Sequence, residues 1–122
     1  MKDQMSKYQC RRRAHRAKVV VFALELLREH LAAPEPDAQV IAAQVIAADR
    51  AEAALALDRI SFLVGSTSES AQRARHQTDV LRSDEVISLD DLDTWIRQWI
   101  VWTRIWDPTE PAAETTEPEG GT

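Results

Sequence analysis

DTWIRQWIVWTRIWD, residues 93–107, places all four tryptophans of the 122-residue chain within twelve consecutive positions. Trp95, Trp99, Trp102 and Trp106 follow one another at spacings of four, three and four. At helical pitch that spacing gathers the indoles within an arc of about 60°. Leu92, Ile96 and Ile100 widen the apolar side, while Asp90, Asp93, Arg97 and Arg104 occupy the opposite one. An amphipathic helix is therefore predicted. Such a row has three possible uses. As core, each indole would bury on the order of 200 Å². As a docking surface for a protein partner or a second copy, rigid rings gain contact area at little entropic cost. At a membrane interface they would sit among Lys and Arg, but here Asp90, Asp91, Asp93 and the acidic residues beyond flank them, which disfavours lipid. Core is favoured over docking, although four rings in line strain the capacity of one two-helix groove. Within the row, Trp99 and Trp102 are expected to be buried, and Trp106, the last residue before Asp107-Pro108, to be the most exposed.

The rest of the chain extends the helical reading. Eighteen Ala, abundant Leu, Arg, Glu and Gln, and only three Gly favour helix throughout. Pro34-Glu-Pro36 breaks the chain after a first helix from about Ser6 to Ala33. A second helix is predicted from near Asp37 to Gly65, where glycine enters the left-handed region freely. Ser66-Thr-Ser-Glu69 has the form of a capping box for a shorter third helix ending near Arg82. Ser88-Leu-Asp-Asp91 caps the fourth, with acids in its first turn. The predicted fold is all-α: a long antiparallel helical hairpin, a short third helix and a Trp-rich fourth helix. It forms a single domain over residues 1–106, with a basic N-terminal arm at 1–18. Residues 107–122, with three Pro, five acids, two Gly and no large apolar residue, are expected to form a disordered acidic tail.

Apolar spacing assigns faces. Ala17, Val20, Leu24, Leu27 and Leu31 make one stripe on the first helix, and Val19, Phe22 and Leu26 make a second on another side. The first helix is thus either central or pressed between its hairpin partner and another chain. In the second helix the tandem repeat QVIAAQVIAA (39–48) advances the helix by about 140° per copy beyond a full turn, so it presents no repeated site. The heptad line Ile41, Ala48, Leu55 and Phe62, beside the small residues Ala47, Ala54 and Ser61, is the predicted hairpin contact. Ala71, Ala74, Thr78 and Leu81 give the third helix a narrow apolar face.

Charge is uneven. Residues 1–18 hold seven Lys or Arg against Asp3, and the remainder holds eight Arg against nineteen acids. Lys7, Arg11, Arg12, Arg13, Arg16 and Lys18 are candidate phosphate contacts, with Tyr8 available for stacking, and would bind nucleic acid without sequence preference.

No motif for chemistry is present. His15, His30, His76 and Cys10 lack helical metal-ligand spacing, and there is no Glu-x-x-His, phosphate loop or nucleophile elbow. Neither a cofactor nor a small-molecule substrate is expected, nor an enzyme. The lone Cys10, the absence of a secretory pattern and an apolar run of only six residues (19–24) point to a cytoplasmic protein that does not enter membranes. The expected function is that of a small interaction or assembly protein, a homo-oligomer or one that docks on a protein partner. Its candidate contacts are Trp95, Trp99, Trp102, Trp106, Val19, Phe22 and Leu26. The alternative is nucleic-acid association through the basic arm.

Overall fold

The computed structural model describes residues 6–32, 39–65 and 67–108; at 39–41 it describes the backbone alone. Among these residues the chain forms four α-helices and no strand: α1 (Lys7–Ala32), α2 (Gln39–Val64), α3 (Glu69–Arg82) and α4 (Leu89–Trp106). Residues 109–122 of the expected acidic tail and the Pro34–Pro36 break lie outside the described residues.

The helix boundaries within the described residues have local causes. Ser6 and Gln9 form a reciprocal capping box at the start of α1: the Gln9 amide donates to Ser6 Oγ at 3.0 Å and the Ser6 amide to Gln9 Oε1 at 3.1 Å. Gly65 ends α2 with a φ of 90°, in the left-handed region, as predicted for a C′ residue. The cap of α3 is Ser68 rather than Ser66, its Oγ accepting from the Ala71 amide at 3.1 Å, so Glu69 is the first helical residue and not the far member of a box. The reason lies in the turn: the Ser68 amide donates back to the Gly65 carbonyl, so Ser68 is the residue placed to begin the next helix. Ser88 caps α4 as expected, accepting from the Asp91 amide.

The helices run alternately up and down. Arg28 near the end of α1 pairs with Asp93 near the start of α4, and Arg13 near the start of α1 lies over Trp106 at the end of α4. His30 and Asp49 link the end of α1 to α2, and Arg13 reaches the Leu63 carbonyl at the other end of the pair. Arg50 on α2 donates to the carbonyls of Val80, Leu81 and Ser83, closing the C-terminus of α3 from a neighbouring helix. α1 therefore packs against both α2 and α4, and α3 packs on α2.

The core follows one α1 stripe as predicted: Ala17, Val20, Leu24 and Leu27 are fully buried, and Leu31 packs partly against them. In α2 the buried line is Ala53, Leu57, Ile60 and Val64, with Ala54 and Ala56 beside it. The predicted heptad line is a misreading. Ala48, Leu55 and Phe62 are exposed, and Ile41's side chain lies outside the description. Leu55 and Phe62 stand two residues beyond Ala53 and Ile60, about 200° round the helix and so on the far side from the core. α2 must meet α1 and α3 together, and its small residues 53, 54 and 56 form the broad surface that admits both.

Candidate interaction surface

The indole row resolves first. Trp99 is 0% exposed, and its Nε1 donates to Gln77 Oε1 at 2.7 Å. Gln77, itself buried on α3, donates in turn to Gln98 Oε1 at 3.3 Å, so a polar chain ties α3 to α4. Trp106 is only 8% exposed; it stacks on Trp102 with ring centroids 5.3 Å apart, and the Arg13 guanidinium lies 5.9 Å from its ring. Trp95 and Trp102 are half-buried against the same core. The expectation that Trp106 would be exposed is corrected, as is that of full burial for Trp102. α4 runs antiparallel to α1, so its last turn lies beside the first turns of α1 rather than facing solvent. The row packs into or against the core, with Trp99 and Trp106 buried and Trp95 and Trp102 half-buried.

Gln77 was missed in the sequence, although a signal existed. It falls three residues after Ala74 and four before Leu81, a polar side chain on the apolar stripe of α3. A polar group there needs a buried partner, and the indole N–H supplies it.

The second stripe of α1 remains open. Phe22 is 67% exposed, Val19 is exposed and Leu26 is half-buried. They form one wall of a groove of about 310 Å³ whose other wall is α2, with Leu55 and Ala56 opposite. The groove continues past Arg59 into a second depression of about 260 Å³ lined by Arg12, Arg16, Phe62 and Leu63. Phe62 is 92% exposed. At the opposite end the lining is acidic, Asp49 and Glu52. This face is apolar in its middle, basic at one end and acidic at the other.

The six predicted phosphate contacts are not brought together. They lie on the first three turns of α1, in a helix rather than a free arm. Lys7, Arg11 and Lys18 share one side, and Arg12 and Arg16 lie well round from it. Arg13 turns inward to the Leu63 carbonyl and Trp106. Among the described residues no group of three His, Cys, Asp or Glu could hold a metal ion, and no helix is long and apolar enough to cross a membrane. In comparisons with family models, curated proteins and solved structures, nothing matches this chain.

Proposed function

We propose that this chain is a small helical interaction protein, without chemistry of its own, that associates with itself or docks on a protein partner through the open face between α1 and α2. The observation that carries the reading is the pair of exposed phenylalanines, Phe22 and Phe62, beside Val19 and Leu55 on one continuous groove. Covering a Phe side chain stabilises by roughly 1.5–3 kcal/mol, so leaving two in water favours any partner that covers them. The cytoplasm is the compartment proposed, on the ground of the single free thiol of Cys10. Replacing Phe22→Asp and Phe62→Asp together, and following mass by light scattering and helicity by circular dichroism, tests the reading. Helicity and melting should stay close to wild type while association is lost. Unchanged association would exclude this face.

A second reading rests on the exposed side of the first turns of α1. Lys7, Arg11 and Arg12 are exposed, and Tyr8 stands out with the Arg12 guanidinium 5.9 Å from its ring, a combination that suits phosphate and a stacked base. Titration with a mixed-sequence duplex at rising salt checks it: binding that Lys7→Gln, Arg11→Gln and Arg12→Gln together abolish would favour nucleic acid over protein.

A further inference from the structure

We propose that the α1/α2 groove is covered by the same groove of a second copy, the two copies related by a twofold axis near Phe22 that sets their α1 helices antiparallel. This rests on the reading of the face as an interaction surface and names its occupant.

Three observations choose a second copy. The first is the order of charge along the groove. Arg12 and Arg16 lie ten and six residues before Phe22, and Glu29, exposed on the Phe22 side of α1, lies seven after it. At helical rise these groups stand roughly 10 Å to either side of Phe22. On α2, Arg59 lies towards the basic end and Glu52 towards the acidic end. A twofold through Phe22 exchanges the ends, so each basic end meets an acidic one and each aromatic centre meets its own copy. An isologous contact needs such a self-complementary patch.

The second observation is that, among the described residues, the ion pairs Arg28–Asp93, His30–Asp49, Arg73–Glu69 and Arg82–Asp58 involve none of Arg12, Arg16, Arg59, Glu29 or Glu52, and Arg12 lies over the Tyr8 ring without a carboxylate partner. The third is size. Two helices side by side over about 30 Å present roughly 600 Å² on this face, or about 1,200 Å² across two copies, the lower bound for a stable dimer. The chain's own residues 109–122 contain no aromatic residue and no Leu, Ile, Val or Met, so they offer the groove no apolar cover.

The test uses the full chain in two charge-reversed forms, Arg12→Glu with Arg59→Glu and Glu29→Arg with Glu52→Arg. All four positions are exposed, so both forms should keep wild-type helicity. Wild type should sediment as a dimer, and each form alone as a monomer, weakened by about 100-fold or more because like charges then face each other. Mixed one to one, the two forms should recover a dimer, since each end of one is then opposite in sign to the end it meets on the other. A wild-type dimer whose reversed forms dissociate but do not recover on mixing would overturn the antiparallel pairing. A wild-type chain that stays monomeric would overturn the second copy and leave the face to a different protein. A dimer that survives both charge reversals and Phe22→Asp would overturn this proposal together with the reading of the groove.

Discussion

The hydrogen bond from Trp99 to Gln77 joins α4 to α3, and it shows how a single polar residue fixes an aromatic core. Trp99→Ala should lower stability by about 3–5 kcal/mol, as large aromatic truncations in cores do. Gln77→Leu should cost about 1–3 kcal/mol because it strands the indole N–H. Adding Trp99→Phe to Gln77→Leu should restore part of that loss, and chemical denaturation of the four corners of the cycle measures the coupling. Trp106→Ala should also cost about 3 kcal/mol, since the ring is buried beneath Arg13 and against Trp102. The residue before a helix-stopping Asp-Pro looks peripheral in sequence, and only the passage of α1 beside it makes it core. Electrostatics acts at the same scale. The Arg28 guanidinium donates to both Asp93 oxygens and holds that carboxyl below the usual carboxylate range, while Arg28 itself is raised by the same bond and charge. A carboxyl depressed in the folded state adds stability above its unfolded value, near 3.9, and loses it as pH falls through the folded value. Asp93→Asn should therefore flatten the loss of stability in acid, read from melting temperature below about pH 4, and leave the slope near neutrality unchanged.

At the scale of the helices, their number, type and order were legible, because proline, glycine and serine punctuate the chain at the points where helices end or begin. Gly65 and Ser88 do what their residue types require. Position within a hydroxyl run is harder: Ser66, Thr67 and Ser68 are chemically near-equivalent caps, and the turn back to the Gly65 carbonyl selects the last. The face of α2 was misread for a different reason. Ala is four of its first ten residues and recurs beyond them, so periodicity gives little contrast, and the large side chains Leu55 and Phe62, seven apart, drew the line to themselves. Core size was decided instead by the space between three helices, which small residues fill. Arg50 was invisible for lack of any local signal, since its partners lie thirty residues on. Arg50→Met should cost about 1.5–3 kcal/mol and fray the end of α3, visible as faster amide exchange over its last turn, because three carbonyls lose a charged donor together. Gly65→Ala should cost about 1 kcal/mol from the left-handed backbone alone, the space around it being open.

Across the described residues, the bundle pairs its buried polar groups and the Trp99 indole N–H but leaves a two-helix face open to solvent. The outer side of α4 also exposes Val101 and Ile105, on a single helix with acids at its start and Arg97 and Arg104 beyond. The groove differs in having two walls, α1 and α2. That α1 carries a second apolar stripe was readable from Val19, Phe22 and Leu26, and α1 does lie between α2 and α4; the opposite wall of the groove was not readable, because the residues of α2 that build it were assigned to the hairpin contact. The most direct measurement is disulfide trapping on a Cys10→Ser background, comparing Phe22→Cys with Val101→Cys under mild oxidation. A residue near a twofold axis meets its own copy within the short Cα separation a disulfide requires, roughly 4.4–6.8 Å. The account predicts rapid, nearly complete covalent dimer for Phe22→Cys and little for Val101→Cys; equal trapping at the two positions, or none at position 22, would contradict it.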